Sequence, residues 1–302
     1  MLQPSSTARP LDAAAIALVL LLCLTWGFNQ VAIKLVLPEI PPLTQAALRS
    51  FGGLVVVMII AAIRGVPLWS RDGTLKAGLL IGVIFGVEFV LMYRGLVWTT
   101  ASRAVVFLYT APFFVAFGAY RLLGERMSKV QWFGMMLSFA AVVLAIGAPQ
   151  PDVDTKVLLG DLMMLGAGAL WGATTIIIKA SRLSQVSAEK GLFLQLLISL
   201  PILGVGILVT GETMTAVPGM MASSLMLYQA VWVVGATFLL WFVLVKAYSA
   251  NKLSAFTFLT PLFGVAAGYF ILDEPISMAF GVAALLVIVG LYLVNRPASV
   301  AD

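Results

Sequence analysis

Residues 101–126, ASRAVVFLYTAPFFVAFGAYRLLGER, and residues 250–275, ANKLSAFTFLTPLFGVAAGYFILDEP, follow one pattern. In each stretch a proline follows the first alanine by 11 residues and a glutamate follows that proline by 13, and the two copies are 149 residues apart. A second pattern, Trp-Gly followed after six residues by Lys, occurs at residues 26–34 and again at 171–179, 145 residues further on. Ordered matches at nearly one offset predict an internal repeat. We therefore expect two similar halves, over residues 13–148 and 160–295.

The composition of the chain places these halves in a lipid bilayer. Of the 302 residues, 62% are hydrophobic and 10% are charged, and the mean hydropathy is +1.07. A soluble domain is about 25% charged, so this chain has too few polar groups to cover a surface in water. This excludes a water-soluble domain, a disordered chain and a nucleic-acid binder. The net charge of +5 is assigned to loops that lie against an anionic cytoplasmic leaflet, not to a ligand.

Two residue types that serve much enzyme chemistry are almost missing from the chain. It has one cysteine, Cys23, and no histidine. This excludes an intrachain disulfide and a cysteine-based metal cluster, and it removes the commonest metal ligand and general base. We expect no cofactor, no metal site and no enzyme activity; an intramembrane enzyme is the weakest of the alternatives.

Long apolar stretches predict the helices that cross the bilayer. Hydrocarbon about 30 Å thick requires about 20 residues of apolar helix. Stretches of this kind are 13–34, 43–63, 76–97, 103–121, 129–148, 160–180, 190–210, 223–246, 253–272 and 276–294. We predict an all-α integral membrane protein with ten transmembrane helices. Because each half has an odd number of helices, the second half enters the membrane from the opposite face, which is the inverted-repeat plan of transporters that work by alternating access.

The distribution of Lys and Arg predicts the orientation of the chain in the membrane. Ten crossings place both termini on one side, and 13 of the 18 Lys and Arg residues fall on that side. Positive charge is enriched in cytoplasmic loops, so we expect both termini in the cytoplasm. The other five fall at or near the outer ends of helices: Lys34, Arg49, Arg94, Arg103 and Lys156. By this assignment no Lys or Arg faces the middle of the membrane.

Several motifs together resemble those of a known transporter family. They are Trp26-Gly27, the run from Ala101 through Pro112 to Leu123-Gly124-Glu125-Arg126, then Trp132-Phe133-Gly134, and a looser copy from Ala250 through Pro261 to Leu272-Asp273-Glu274-Pro275. Over residues 13 to 295 the chain resembles the ten-helix EamA-type branch of the drug/metabolite transporter (DMT) superfamily. It is most similar to bacterial inner-membrane exporters of amino acids, including the aromatic amino acid exporters. The resemblance implies a multi-pass protein of the bacterial inner membrane, with a central cavity between the halves and helix bundles that rock around it.

Glu88 is the only acidic residue near the middle of a predicted helix. A carboxylate there costs about 2.5 to 3.5 kcal/mol on insertion scales, so it should face protein or water. Gly78, Gly82 and Gly86 form a ridge that suits close helix packing, and Glu88 lies about 200° around the helix from that ridge. We expect Glu88 to face the cavity and to bind a substrate ammonium group or exchange a proton. A structural carboxyl group, hydrogen-bonded to a neighbouring helix, is the alternative.

Aromatic and neutral polar side chains within the helices are the other candidates for a binding site. Aromatic rings line apolar cavities and stack on flat substrate groups; the candidates are Trp26, Tyr93, Tyr109, Trp171 and Trp232. The hydrogen-bonding groups that suit a carboxylate are Asn29 and Thr175, their neighbours Gln30 and Thr174, and Gln229. Core packing for the aromatic residues and interhelical hydrogen bonds for the polar residues are the alternatives.

Pro112 and Pro261 occupy matching places in the two halves, as do Lys34 and Lys179. A proline within a helix removes a backbone hydrogen bond and kinks the helix. We interpret the prolines as paired hinges that open opposite ends of the cavity, although static kinks would leave the same pattern. The two lysines stand about 12 Å along their helices from the paired tryptophans, where they extend to the membrane surface or, alternatively, act in gating.

These observations together predict a secondary transporter. We expect an exporter of amino acids with aromatic or other neutral side chains, and of related small metabolites, that works as a monomer and by alternating access. Its partners are the small-molecule substrate and the lipid bilayer. The alternative cargo is a cationic or lipophilic drug, which Glu88 and the tryptophans would bind through charge and cation–π contact. Nucleotide sugars fit less well, because phosphate recognition uses Arg and Lys side chains that face the cavity.

Overall fold

A computed structural model describes residues 11–99, 101–146, 154–273 and 279–296 of the chain. The described residues form long helices joined by short loops, one of which contains a 3₁₀ turn at Arg182–Gln185. The helices are α1 (Ala13–Val36), α2 (Pro42–Ile63), α3 (Leu75–Trp98), α4 (segments Ala101–Leu108, Ala111–Gly118 and Ala119–Leu123), α5 (Lys129–Ile146), α6 (Thr155–Ala180), α7 (Ala188–Thr210), α8 (Met220–Ala247), α9 (segments Ala250–Phe256 and Leu259–Leu272) and α10 (Ala279–Asn295).

Eight of these helices are long and apolar enough to span a membrane, and α5 and α10 are shorter apolar helices. Each of the eight contains an 18-residue window with a mean hydropathy of 1.5 or more. A helix of about 20 residues spans the hydrocarbon core of a bilayer. The all-helical, multi-pass membrane architecture is therefore confirmed, while ten crossings by these helices remain a prediction.

Helices α6 and α9 are among those that begin earlier than the apolar stretches that predicted them. Helix α6 begins at Thr155, five residues before the stretch at 160, and contains Lys156 and Asp161. The Asp154 carboxylate accepts a hydrogen bond from the Lys156 amide (3.1 Å) and so caps the first turn. Helix α9 begins at Ala250, three residues before its stretch, behind the cap Ser249. The predicted stretches stop at charged residues, whereas the capped first turn of a helix in the structure includes such residues.

Helices α4 and α9 are interrupted just before their prolines. In α4 the helix Ala101–Leu108 ends and a new segment begins at Ala111, so that Pro112 lies in its first turn. In α9 the segment Ala250–Phe256 is followed by Leu259–Leu272, with Pro261 in its first turn. Proline is tolerated in the first turn, where its missing N–H has no helical partner. The sequence repeat thus corresponds to a repeated break in the helix; whether the breaks act as hinges remains a prediction.

The glycines of the two Trp-Gly pairs make equivalent helix contacts. A Cβ atom on Gly27 in α1 would lie 2.7 Å from the Gly264 nitrogen and 2.7 Å from Phe263 Cβ in α9. A Cβ on Gly172 in α6 would lie 3.3 Å from the Val115 nitrogen and 2.8 Å from Phe114 Cβ in α4. Val115 and Gly264, like Phe114 and Phe263, are 149 residues apart, the offset of the sequence repeat. The α1–α9 and α4–α6 contacts are thus built in the same way.

The glycine ridge of α3 packs against α7. A Cβ on Gly82 would lie 3.1 Å from the carbonyl oxygen of Leu194, and one on Gly86 would lie 2.9 Å from Ile202 Cβ. Close approach of this kind requires small residues at the helix interface. Helix α3 also packs against α6, α2 packs against α7 and α8, and α5 packs against α10. The ridge side of α3 is therefore closed by α7, which leaves the other side free to face the centre of the bundle.

Polar contacts join helix ends at one end of the bundle, which we call the terminal face. The Tyr248 hydroxyl after α8 donates to the Asp12 carboxylate before α1 (2.8 Å), and the Gln131 amide in α5 donates to the Arg296 carbonyl after α10 (2.9 Å). Further contacts there pair Arg64 with Glu189, Lys190 with Asp72, and Lys252 with the Asn295 carbonyl. The hydrogen bond from the Lys190 ammonium holds the pKa of the Asp72 carboxyl below its usual range. Both ends of the described chain lie on this face.

The other helix ends meet at the opposite face. The Glu212 carboxylate after α7 accepts hydrogen bonds from the amides of Leu43 (3.2 Å) and Thr44 (2.9 Å) at the start of α2. Asp161 near the start of α6 accepts one from the Thr99 hydroxyl after α3 (2.6 Å) and pairs with Arg103 at the start of α4. The helices therefore run alternately between the two faces.

Candidate functional site

A central cavity lies where the two halves of the bundle meet. It contains about 850 Å³ of space outside the protein atoms, adjoining solvent included, and side chains from α1, α2, α3, α4, α6, α7 and α8 line it. Small-molecule sites have mostly apolar walls and a few placed polar groups. The position and lining of the cavity make it the candidate substrate site.

A connected set of aromatic rings forms much of the wall. The Trp26 ring centroid lies 6.3 Å from that of Trp171, 5.5 Å from that of Trp241 and 6.2 Å from that of Phe238, all in edge-to-face geometry. The Tyr109 ring contacts Trp171 in the same way at 5.7 Å. The Trp26 indole N–H donates to the Thr237 hydroxyl (2.9 Å), which fixes its orientation. The two tryptophans of the repeated Trp-Gly pairs therefore meet at the cavity, one from each half.

Most of the binding-site residues predicted from the sequence lie on this wall. They are Trp26, Asn29, Glu88, Tyr109, Trp171 and Thr175, together with Gln30 and Thr174. Glu88 is 7% exposed and lies on the side of α3 that faces away from the glycine ridge. The Thr175 hydroxyl donates to the Trp171 carbonyl (3.1 Å), so its own helix already satisfies that hydrogen. Thr175 consequently offers the cavity only an acceptor.

Tyr93, Gln229 and Trp232 do not line the cavity. Trp232 is 39% exposed on the outer surface, where its indole N–H donates to the Thr25 hydroxyl (3.3 Å). Gln229 is buried and lies near Met226 within α8 itself. Both residues belong to a stretch of π-helix, Tyr228–Thr237. Its i→i+5 bonding turns the chain by less per residue than an α-helix does, so side chains placed by an α-helical period fall on the wrong face.

Arg49 was missed by the sequence analysis, which placed it at an outer helix end. Its side chain is buried (2% exposed) and lines the cavity. The guanidinium carbon lies 4.3 Å from the Phe89 ring centroid and 5.8 Å from that of Tyr93. Arg49 is seven residues into α2, about 10 Å below the helix start, and this depth is the signal that could have identified it. Arg49 therefore faces the cavity, and phosphorylated cargo is no longer disfavoured by a lack of Arg or Lys there.

Several polar atoms of the wall have no hydrogen-bond partner among the described residues. They are Asn29 Oδ1, Arg49 Nε and Nη2, Thr174 Oγ1 and Gln195 Oε1. Buried polar atoms are normally paired, because an unpaired one loses its hydration without compensation. Gln195, which the sequence did not nominate, comes from α7, as Arg49 comes from α2. The cavity therefore offers both donors and acceptors to a polar ligand.

An ionic contact joins helix ends at the terminal face, next to the cavity residue Ile178. The Lys179 ammonium lies 3.1 Å from the Glu125 carboxylate and donates to the Tyr248 carbonyl. The Glu125 carboxylate also accepts hydrogen bonds from the Ser249 hydroxyl (2.7 Å) and the Ala250 amide (3.2 Å) at the start of α9. The Lys179 side chain is only 9% exposed, so it does not extend into the membrane surface as expected. Glu274, the repeat counterpart of Glu125, lies outside the described residues.

Comparison with known proteins agrees with this architecture. A family model, the EamA-like transporter family, matches residues 13–147 and 158–296. A Bacillus subtilis protein named uncharacterized transporter YoaV is 26% identical over 279 residues, which are 89% of this chain and 92% of that protein. A Salmonella typhimurium protein named probable amino-acid metabolite efflux pump is 27% identical over 289 residues, 91% of this chain and 93% of that protein.

A solved crystal structure has the same fold. It superposes with a TM-score of 0.78, covers 94% of this chain and 96% of its own, and is 19% identical in sequence. The fold, the cavity at the centre of the helices and the match of the family model over both halves of the sequence lead to one assignment. The chain belongs to the EamA-like transporter family.

Proposed function

We propose that this transporter exports amino acids with aromatic or other neutral side chains, and related small metabolites, by alternating access. The observation that carries the proposal is the central cavity, whose wall joins a set of aromatic rings to polar groups that have no partner in the described ranges of the chain. Aromatic rings suit a large apolar side chain, and the polar groups suit the carboxylate and ammonium groups that every amino acid carries. The name of the Salmonella typhimurium relative, probable amino-acid metabolite efflux pump, is consistent with this cargo.

Alternating access is supported by the equivalence of the two halves. Gly27 packs against α9 as Gly172 packs against α4, and the breaks before Pro112 and Pro261 recur at matching places. Two similar units of opposite orientation can exchange conformations, which opens a site between them first to one face and then to the other. We propose that the halves, residues 13–148 and 160–295, are these units and that the chain works as a monomer. Pro112 and Pro261 are then the hinge points.

The proposed location is the inner membrane of a bacterium, with the terminal face in the cytoplasm. The excess of Lys and Arg on the side of the termini supports this orientation. Reporter tags placed just after Pro149 and at the carboxyl end test it. The proposal expects the first tag on the periplasmic side and the second in the cytoplasm, whereas emergence on the same side would contradict it.

Counterflow in liposomes tests the function. Purified protein is reconstituted in vesicles loaded with unlabelled phenylalanine, and uptake of labelled phenylalanine is followed with time. We expect accumulation that exceeds protein-free vesicles and is inhibited by threonine. Absence of flux for every neutral amino acid would contradict the proposal.

A cationic lipophilic drug is the second candidate cargo, favoured by Glu88 and the tryptophans of the wall. The same assay discriminates the two. If tetraphenylphosphonium blocks uptake and phenylalanine or threonine does not, the amino-acid assignment is wrong. Repeating the measurement with an imposed pH gradient, for the native chain and for Glu88→Gln, tests proton coupling, because unchanged flux in both would remove Glu88 from that role.

A further inference from the structure

Two side chains of opposite charge, Arg49 from α2 and Glu88 from α3, face the same cavity. Both are buried, at 2% and 7% exposure. Within the described part of the chain they do not form a direct ion pair. Two buried charges in one membrane-embedded site are costly unless each has a partner, so their retention in the cavity requires an explanation.

The surroundings of Arg49 leave its hydrogen-bonding capacity unused. Its guanidinium stacks over the Phe89 ring at 4.3 Å, a cation–π contact that stabilises the charge but accepts no N–H hydrogen bond. Nε and Nη2 have no acceptor in the part of the chain that the structure describes. These two nitrogens lie on neighbouring positions of one planar group, and a planar guanidinium binds a carboxylate through two parallel hydrogen bonds. A ligand carboxylate has the two acceptor oxygens that these N–H groups require.

Glu88 supplies the opposite charge on the same half of the wall. Among the described residues, no side chain donates a hydrogen bond to its carboxylate. An ammonium group that entered the cavity would meet this carboxylate, while a carboxylate on the same molecule would meet Arg49. Between them, the two residues present one positive and one negative group to a ligand.

We propose that Arg49 and Glu88 form a bipolar clamp that selects zwitterions, with Arg49 binding the α-carboxylate and Glu88 the α-ammonium group of the substrate. The proposal rests on the transport of amino acids proposed above and names the two groups that define the head of the substrate. The net charge of the site is unchanged when a zwitterion binds, and each protein charge gains a partner. A bound cation pairs with Glu88 but leaves Arg49 without a partner, and a bound anion pairs with Arg49 but leaves Glu88 without one. Both kinds of ligand are therefore disfavoured.

The aromatic wall continues from this clamp. Phe89 contacts Phe85 at 4.5 Å, Phe85 contacts Phe238 at 6.0 Å, and Phe238 contacts Trp26. A zwitterion held by the clamp therefore projects its side chain along a row of rings toward Trp26 and Trp171. The polar groups of the second half, Thr174 and Gln195, are uncharged. The ionic head group is consequently assigned to the α2 and α3 side of the cavity.

Three ligands that share one aromatic ring test the clamp: phenylalanine, 2-phenylethylamine, which lacks the carboxylate, and 3-phenylpropanoate, which lacks the ammonium group. Each competes against labelled phenylalanine in counterflow by the full-length native protein. Since a hydrogen bond to a charged group changes affinity by about tenfold or more, we expect both truncated ligands to compete at least tenfold more weakly than phenylalanine. Equal competition by all three would overturn the clamp.

Variants assign each half of the clamp. Arg49→Gln is expected to weaken phenylalanine binding about tenfold or more while 2-phenylethylamine binds as before, so that the two become similar. Glu88→Gln should remove the distinction between phenylalanine and 3-phenylpropanoate instead. Arg49→Lys, which keeps the charge but not the planar fork, should retain part of the preference. If Arg49→Gln binds phenylalanine with native affinity and preference, Arg49 has only a structural role and the proposal is wrong.

Arg94→Gln is the matched control. Arg94 stacks over Trp98 at 5.4 Å, as Arg49 stacks over Phe89, but does not line the cavity. Its loss should leave the order of the three ligands unchanged. The native selectivity decides the proposal even if Arg49→Gln fails to fold. Native protein that moves phenylalanine without distinguishing the ligands contradicts the clamp alone, whereas native protein that moves no amino acid contradicts the proposed function.

Discussion

Replacement of Gly27 by alanine tests the equivalence of the two halves at its tightest contact. The new Cβ would lie 2.7 Å from the Gly264 nitrogen and 2.8 Å from the Thr260 carbonyl oxygen. Both are backbone atoms, so no rotamer change relieves the overlap and α1 must separate from α9. Overpacking of this kind costs about 1–3 kcal/mol, and we expect Gly27→Ala near the upper end. For Gly172→Ala the nearest backbone atom is the Ala111 oxygen at 3.2 Å, so we expect a smaller loss, near the lower end.

Thermal unfolding of the purified protein in detergent measures these differences. At about 2 °C per kcal/mol for a chain of this size, Gly27→Ala should lower Tm by about 4–6 °C and Gly172→Ala by about 2–4 °C. Gly204→Ala is the control, because a Cβ there meets no atom within 4 Å. Alanine is favoured over glycine within a helix by about 0.5–1 kcal/mol, so this variant should keep or raise Tm. Equal Tm for Gly27→Ala and Gly204→Ala would refute the close contact between Gly27 and α9. A lower Tm for Gly27→Ala with an unchanged Tm for Gly172→Ala would refute the equivalence of the α1–α9 and α4–α6 contacts.

Three further substitutions test the ionic contacts and the aromatic wall. Asp161→Asn should destabilise the protein by about 3–5 kcal/mol in the same melts, since it removes the carboxylate from a buried ion pair with Arg103; unchanged Tm would contradict that pairing. Glu125→Gln removes an ion pair at the terminal face, so it should increase labelling of the cavity from that face about tenfold, and native-level labelling would show that the contact does not hold the face closed. Trp171→Leu should weaken competition by phenylalanine about three- to tenfold more than competition by threonine, because aromatic pairs contribute about 0.5–1.5 kcal/mol beyond the burial of their apolar surface. Trp232→Leu, on the outer surface, should change the competition by neither amino acid.

Part of the architecture could be predicted because local sequence and lipid determine it. Long apolar stretches are stable in hydrocarbon as helices. The number and order of the helices can therefore be predicted from the sequence. The spacing of Gly78, Gly82 and Gly86 placed three small residues on one face of α3, and that face packs against α7. Because the Trp-Gly repeat marks equivalent positions, it led to Trp26 and Trp171, two of the three tryptophans of the cavity wall.

Other parts depend on tertiary structure that no local pattern reports. Trp232 was misplaced because the π-helical stretch of α8 changes which residues share a face, and nothing in its apolar sequence marks that change. Arg49 was assigned to a helix end because charge was expected at the membrane surface. Its burial depends on Phe89 from another helix and on a cavity that only the assembled bundle forms. The burial of Lys179 likewise depends on Glu125, whose carboxylate lies there only when α4, α6 and α9 meet.

Accessibility of two cavity positions from the two sides of the membrane tests the central claim most directly. Ile33 and Ile178 both line the cavity, seven residues beyond Trp26 and Trp171 in helices that end on opposite faces. Cys23 is the only native cysteine, so Cys23→Ala combined with Ile33→Cys or Ile178→Cys gives single reporters. With a membrane-impermeant maleimide in oriented vesicles, alternating access predicts that Ile178→Cys reacts from the terminal face and Ile33→Cys from the opposite face, each in competition with phenylalanine. Reaction of both positions from one face only would contradict it.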